Sequence, residues 1–172
     1  MILYLKEKRN NMIYWLIGQP GCGKSTLAKL LQAKIEKCLY FDGDDLRKIF
    51  GNSYSPKHFT REWREEQTRA LQRLITYLVD QGFNIIIATV NPYRNVREEF
   101  KNSRMDMREI YIHKTDVRER ENFAVSDYEP PLENFIDINT TGHTPEESVE
   151  EIVQKDISLG ILELMKKYHD YR

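Results

Sequence analysis

Apolar residues occur along the chain in short blocks separated by longer amphipathic stretches. Residues 12–17 (Met-Ile-Tyr-Trp-Leu-Ile) form an unbroken apolar run rich in β-formers that stops at Gly18, the pattern of a strand buried on both faces. From Lys24 onward the apolar positions fall at Leu27, Leu30, Leu31 and Ile35, one stripe of a helix. A second short strand covers 39–41 and ends at Asp42-Gly43-Asp44. Leu71, Leu74, Ile75 and Leu78 mark a long amphipathic helix that begins near Thr60 and stops at Gly82. The next strand, over 83–90, is centred on Ile85-Ile86-Ile87, and a polar helix over 95–103 and a strand over 108–112 follow it. No clean period runs through 113–134, where Pro130-Pro131 excludes a helix or a central strand. A last short strand is expected over 135–138. Thr144-Pro145-Glu146-Glu147 then reads as a helix start, with a Thr cap, Pro at the first helical position and Glu three residues after the cap. Val149, Ile152, Val153 and Ile157 continue that helix along one face, and Gly160 is expected to break it before a final helix ending near Tyr168.

Strands alternating with helices call for parallel βαβ units, so the predicted class is α/β: a three-layer α/β/α sandwich on a mostly parallel sheet. The chain of 172 residues shows no repeat and no linker, which predicts a single domain over 12–172. Residues 1–11 fit two readings, an extension ahead of Met12 or an added edge strand.

Composition narrows the function classes. The chain is 40% apolar and 31% charged, as in soluble globular proteins, and no apolar run approaches the roughly 18 residues of a membrane helix. Lys plus Arg number 26 against 27 for Asp plus Glu, so the basic excess of a nucleic-acid partner is missing. Cys22 and Cys38 are too few for a disulfide framework, and together with the lack of a signal-peptide pattern they predict a cytoplasmic protein. His113, at a strand end, reads as a surface residue, and His58, His143 and His169 have no metal-ligand spacing with each other or with the cysteines.

The chemistry begins at Gly18-Gln19-Pro20-Gly21-Cys22-Gly23-Lys24-Ser25, which satisfies G-x-x-x-x-G-K-[ST] between a predicted strand and a predicted helix. The glycines let the backbone curl so that successive N–H groups point inward at phosphate oxygens. Lys24 adds a point charge at the β- and γ-phosphates, and the Ser25 hydroxyl is placed to ligate Mg²⁺. The helix beginning here turns its positive end toward the same anion. Residues 18–25 with Thr26 are therefore the predicted ATP-binding loop. Switch GTPases and motor ATPases carry such a loop too, but they need a strand that ends in a Mg²⁺-organising Asp. The strand Ile85-Ile86-Ile87 ends in Ala88-Thr89-Val90, which favours a small-molecule kinase whose carboxylates come from elsewhere.

Phe41-Asp42-Gly43-Asp44-Asp45-Leu46-Arg47 supplies those carboxylates at the carboxyl end of the second strand, where ligands of open parallel sheets bind. Phosphoryl transfer needs one carboxylate at the acceptor hydroxyl and another group that helps hold hydrated Mg²⁺. Asp44 and Asp42 suit those two tasks. The same residues equally suit an Asp-rich helix cap.

From here the chain resembles the adenylylsulfate kinases, which phosphorylate the ribose 3′-hydroxyl of adenylylsulfate with ATP. Asp42-Gly43-Asp44-Asp45-Leu46-Arg47 matches the family's Asp-Gly-Asp-x-x-Arg, and 59–67 is similar to its Phe-Ser-x-x-x-Arg-x-x-Asn. Asn91-Pro92-Tyr93-Arg94 resembles its Ser-Pro-Tyr-Arg, and Tyr128-Glu129-Pro130-Pro131 repeats its Tyr-Glu-Pro-Pro. The resemblance implies a three-layer P-loop NTPase fold with Asp44 and Lys24 as catalytic groups and Ser25 and Asp42 at Mg²⁺. It implies acceptor contacts from Asp42, Arg47, Phe59, Arg64, Gln67, Val90, Asn91 and Pro92, and places Arg118 or Arg120 over ATP. Without the resemblance, Phe59 would read as a half-buried loop aromatic and Arg64 as a solvated helix residue. The partners implied are ATP or ADP and a small nucleotide. The family is commonly dimeric, and the tail 159–172, apolar on one side, suits such a contact or burial against the sheet.

The departures fall on the acceptor side. Gln67 stands for the family's Asn and Asn91 for its Ser, while 119–127 lacks the long basic lid and its Lys. A short-lid relative in capsule biosynthesis uses cytidine diphosphoramidate as acceptor, so the same chemistry on that nucleotide is the alternative expectation. Another small-metabolite kinase and a non-catalytic ATP-binding module are the readings from further classes.

Overall fold

The structure is a computed structural model that describes residues 11–50, 60–115 and 124–169, without the side chains of 161 and 163–169. The expectations for residues 1–10, Phe59, Arg118 and Arg120, and for most of the tail, lie outside the described residues.

Five strands form one wholly parallel sheet: β1 (Ile13–Ile17), β2 (Cys38–Asp42), β3 (Asn84–Ala88), β4 (Met107–His113) and β5 (Ile136–Asn139). Their order is β2-β3-β1-β4-β5, with β1 central. The helices are α1 (Lys24–Gln32), α2 (Gly43–Ile49), α3 (Arg61–Asp80), α4 (Arg94–Asn102) and α5 (Pro145–His169).

Period-two alternation in β1 divides the core into two layers. Tyr14 and Leu16 face one side and join Leu27 and Leu31 of α1 and Val149 and Ile152 of α5. Ile13, Trp15 and Ile17 face the other and meet Leu46 of α2, Leu71, Ile75 and Val79 of α3 and Phe100 of α4. All five residues of β1 are buried, which is why that strand reads as continuous apolar sequence with no alternation. The chain leaves β1 toward β2 on one side and later returns across it toward β4 on the other. The crevice opened by that reversal lies at the carboxyl end of β1, where Gly18 begins the phosphate loop.

The acidic stretch after β2 takes the expected cap alternative: the Asp42 side chain accepts from the Asp44 N–H at 2.9 Å and caps α2. One element differs from the expectation. Gly160 does not break α5, which runs unbroken to His169. An interior Gly costs a helix about 1 kcal/mol relative to Ala, too little to end one whose apolar stripe is already buried. The start of α5 is as expected, because the Thr144 Oγ1 accepts from the Glu147 N–H while Glu147 accepts from the Thr144 N–H.

Candidate active site

The loop after β1 shows why it needs glycine. Gly18 has φ +141°, and a Cβ there would stand 2.0 Å from the Ile112 carbonyl oxygen of β4. Gly23 caps α1 at φ +95°, a left-handed conformation that turns the following amides into the loop. Lys24 is buried and its Nζ donates to the Gln19 carbonyl at 2.7 Å, so the ammonium curls over its own loop. Cys22 is buried beneath, and its carbonyl accepts from Thr140 Oγ1 at 3.1 Å, which ties the loop to the end of β5. The Gln19 side chain pairs with the backbone of Val125 in both directions, at 2.9 and 3.0 Å.

Asp42 links this loop to α2. Its Oδ2 accepts from Ser25 Oγ at 2.6 Å and from the Tyr40 hydroxyl at 2.7 Å, and its Oδ1 takes the Asp44 N–H. Burial alone would raise the Asp42 pKa, but these three hydrogen bonds to the charged form outweigh it and hold the carboxyl below its ordinary range. Ser25 and Asp42 thus present adjacent hard oxygens, the donor chemistry Mg²⁺ takes. Among the described residues no group of three or more His, Cys, Asp or Glu forms a metal cage.

Asp44 stands one step further out, on the first turn of α2. Its side chain is 59% exposed, with Oδ1 at 3.9 Å from Arg47 Nη2 on the next turn. Gly43 carries α2 against Thr89, since a Cβ there would sit 3.4 Å from the Thr89 methyl. The Thr89 hydroxyl in turn accepts from Trp15 Nε1 at 2.8 Å. The Asp44 turn and the Val90-Asn91-Pro92 segment after β3 are thereby neighbours at one end of the sheet.

Arg64 on α3 reaches the same region. It lies within electrostatic reach of Arg47, Tyr93 and Asp127, and burial lowers its pKa without neutralising it. Two guanidiniums within electrostatic reach of each other suit a bound anion. Asn91 adopts φ +41° and is buried, and its Nδ2 has no hydrogen-bond partner. Gln67 lies one turn beyond Arg64 on α3.

The support for this side is a buried ion network absent from the motif reading. Arg97 of α4 is 1% exposed and donates from Nε to Glu109 of β4 at 2.7 Å. Its Nη1 donates to the Asn91 carbonyl at 2.7 Å and its Nη2 to the Glu129 carbonyl. Lys101 completes the charge balance on Glu109 at 2.7 Å. Glu129 also receives the Arg94 N–H at 2.8 Å and Arg61 Nη1 at 3.1 Å, and donates its own N–H to the Pro92 carbonyl at 2.9 Å. The Tyr-Glu-Pro-Pro segment is therefore a brace for the Asn91 loop. Tyr128 stacks on Tyr111, and burial pushes its hydroxyl pKa up. His113 packs on Tyr111 and lies 3.2 Å from Asp137, at the outer end of β4.

The family model for adenylylsulphate kinase matches residues 10–125, most of the chain and all of the phosphate loop and α2. The chain belongs to the adenylylsulphate kinase family. It is thus a P-loop kinase. The adenylyl-sulfate kinase of Gloeothece citriformis is 29% identical over 177 residues, covering 90% of this chain and 99% of the relative. The cytidine diphosphoramidate kinase of Campylobacter jejuni is 26% identical over 147 residues, covering 81% and 84%. Among solved structures, the Mycobacterium tuberculosis APS kinase in complex with AMPPNP and APS superposes with a TM-score of 0.71 at 21% identity, over 86% of this chain and 98% of that one. That likeness establishes the three-layer P-loop fold. No helix among the described residues is long and apolar enough to cross a membrane.

Proposed function

We propose that this kinase transfers the γ-phosphoryl group of Mg·ATP to the ribose 3′-hydroxyl of a small nucleotide bearing a second anionic group, with adenylylsulfate as the acceptor its family uses. The observation that carries the reading is the position of Asp44. Its N–H is bonded to the Asp42 carboxylate beside Ser25, while its own carboxylate opens toward Arg47 on the acceptor side. One turn of helix thus joins the donor loop to the acceptor region.

In this reading the acceptor oxygen attacks the γ-phosphorus, the bond from phosphorus to the ADP oxygen breaks, and the hydroxyl proton passes to Asp44. Lys24 leaves the Gln19 carbonyl for the β- and γ-phosphate oxygens, joining the loop amides. Ser25 would hold Mg²⁺, with Asp42 acting through water, and the ion would neutralise charge across the two phosphates. Arg47 and Arg64 hold the acceptor's anionic end, with Phe59, Gln67, Val90, Asn91 and Pro92 around its nucleoside and Arg120 over ATP. The cytoplasm supplies both nucleotides and is the proposed compartment.

Cytidine diphosphoramidate is the second acceptor reading. It is favoured by the stretch 119–127, which lacks the family's long basic lid, and by the similarity to a kinase of that name. ADP release from Mg·ATP, with each acceptor offered separately, tests both. Turnover with one of them identifies the acceptor. ATP binding without turnover on either moves the substrate to another metabolite.

A further inference from the structure

Gln19 fills one of the open positions of G-x-x-x-x-G-K-[ST], where phosphate binding asks only for the backbone N–H. Its side chain is nonetheless engaged at both polar atoms. Nε2 donates to the Val125 carbonyl at 2.9 Å, and Oε1 accepts from the Val125 N–H at 3.0 Å. This two-way pairing joins residues 106 positions apart and fixes the orientation of the amide.

Val125 opens a turn that leads to the acceptor side. Its carbonyl also accepts from the Tyr128 N–H at 3.3 Å, and the next N–H, that of Glu129, donates to the Pro92 carbonyl at 2.9 Å. The Glu129 carboxylate takes the Arg94 N–H at 2.8 Å and Arg61 Nη1 at 3.1 Å. Arg97 spans the Glu129 and Asn91 carbonyls with its two terminal nitrogens. Every step from Gln19 to the Asn91-Pro92 loop is thus a hydrogen bond or one tight turn.

The backbone of Gln19 answers to ATP. Lys24 Nζ donates to the Gln19 carbonyl at 2.7 Å, and in the transfer chemistry above it leaves that carbonyl for the β- and γ-phosphates. The residue whose carbonyl gives up this ammonium when ATP binds is therefore the one whose side chain holds the acceptor turn.

We propose that Gln19 is a positioning residue that couples the two halves of the site: by holding the turn 125–129, it makes ATP and the acceptor nucleotide strengthen each other's binding. This rests on the kinase reading above and holds for either acceptor. The ligand that binds first fixes the shared turn, so the second no longer bears that ordering cost. Such coupling is reciprocal, and each ligand changes the affinity of the other by the same factor.

Calorimetry tests it by measuring the Kd of adenylylsulfate and of cytidine diphosphoramidate with and without saturating Mg·AMPPNP, and the Kd of Mg·AMPPNP with and without the acceptor that binds. In wild type one factor of about fivefold to fiftyfold should appear in both directions. Gln19→Leu removes both bonds to Val125 and should bring the factor close to unity. Val125→Pro removes only the N–H bond, leaves the phosphate loop untouched and should lower the factor partway. Thermal melts show that each variant is folded, and Val125→Pro decides alone where Gln19→Leu is not. A wild-type factor of unity overturns the inference and leaves the kinase reading standing. So does an undiminished factor in the variants, even with weaker binding of AMPPNP, since it marks Gln19 as an ordinary ATP contact. Normal AMPPNP binding with no binding of either acceptor overturns the acceptor reading and the inference together.

Discussion

The two halves of the active site are built in opposite ways. The donor half is nearly contiguous: residues 18–25 bind phosphate through one loop, and Asp42 joins them through a hydrogen bond from Ser25. The proposed acceptor half draws on Arg47 from α2, Arg64 from α3 and Asn91 after β3, and the buried Arg97–Glu109 pair holds the Asn91 loop. The donor presents the same triphosphate in every P-loop enzyme, so backbone amides in a fixed curl suffice. The acceptor differs between enzymes, and reading it takes side chains from distant elements. The donor half should therefore fail through its own residues, and the acceptor half through its supports.

The largest effect is expected at the junction of the halves. Asp44→Asn should lower kcat by about 10²–10⁴-fold with ATP affinity unchanged, measured by ADP release and by nucleotide binding. Unchanged turnover would remove Asp44 as the base and, with it, the link between the halves. Arg97→Met tests the supports. It leaves Glu109 buried beside Lys101 alone and frees the carbonyls of Asn91 and Glu129, so unfolding in urea should show a loss of about 3–5 kcal/mol. In the folded fraction the acceptor KM should rise while the KM for ATP holds. An equal rise in both would break the division. Gly18→Ala is the matching test on the donor half. With a Cβ driven onto a backbone carbonyl at a strained φ, it should cost about 2–4 kcal/mol and weaken ATP binding first.

That division also explains what could be read from the residues in advance. The β1 strand, the phosphate loop and α1 were legible because each is a local pattern: a buried run, a glycine spacing and an apolar stripe. The acidic turn was legible as candidate chemistry and as a cap, and Asp42 makes the cap through Oδ1 while Oδ2 accepts from Ser25. Gly160 misled because local helix propensity counts for less than burial along the rest of α5. Arg97 carried no signal, since a charged residue on a polar helix finds its buried partner only after the sheet has formed. Glu109, next to the apolar Ile110 and Ile112 positions of its strand, was the available hint, because a buried carboxylate demands a cation.

The smallest effect expected comes from Tyr40→Phe, and it probes whether the donor half is locally redundant. The substitution removes one of three hydrogen bonds to Asp42 and keeps the ring, so the loss in stability near neutral pH should be about 1 kcal/mol. Kinetics should show little change in the acceptor KM. The clearer signature is in acid. The folded Asp42 carboxyl lies below its unfolded value of roughly 3.9, so its contribution is complete above that pH and disappears as pH falls through the folded value. Without the Tyr40 hydroxyl the folded value moves up toward the unfolded one. The variant should therefore bring less Asp42-linked stability into acid and show a shallower loss below about pH 4 in thermal melts. Curves that stay parallel through that range would mean that Ser25 and the Asp44 amide alone hold the carboxylate charged, which makes the donor half more self-sufficient still.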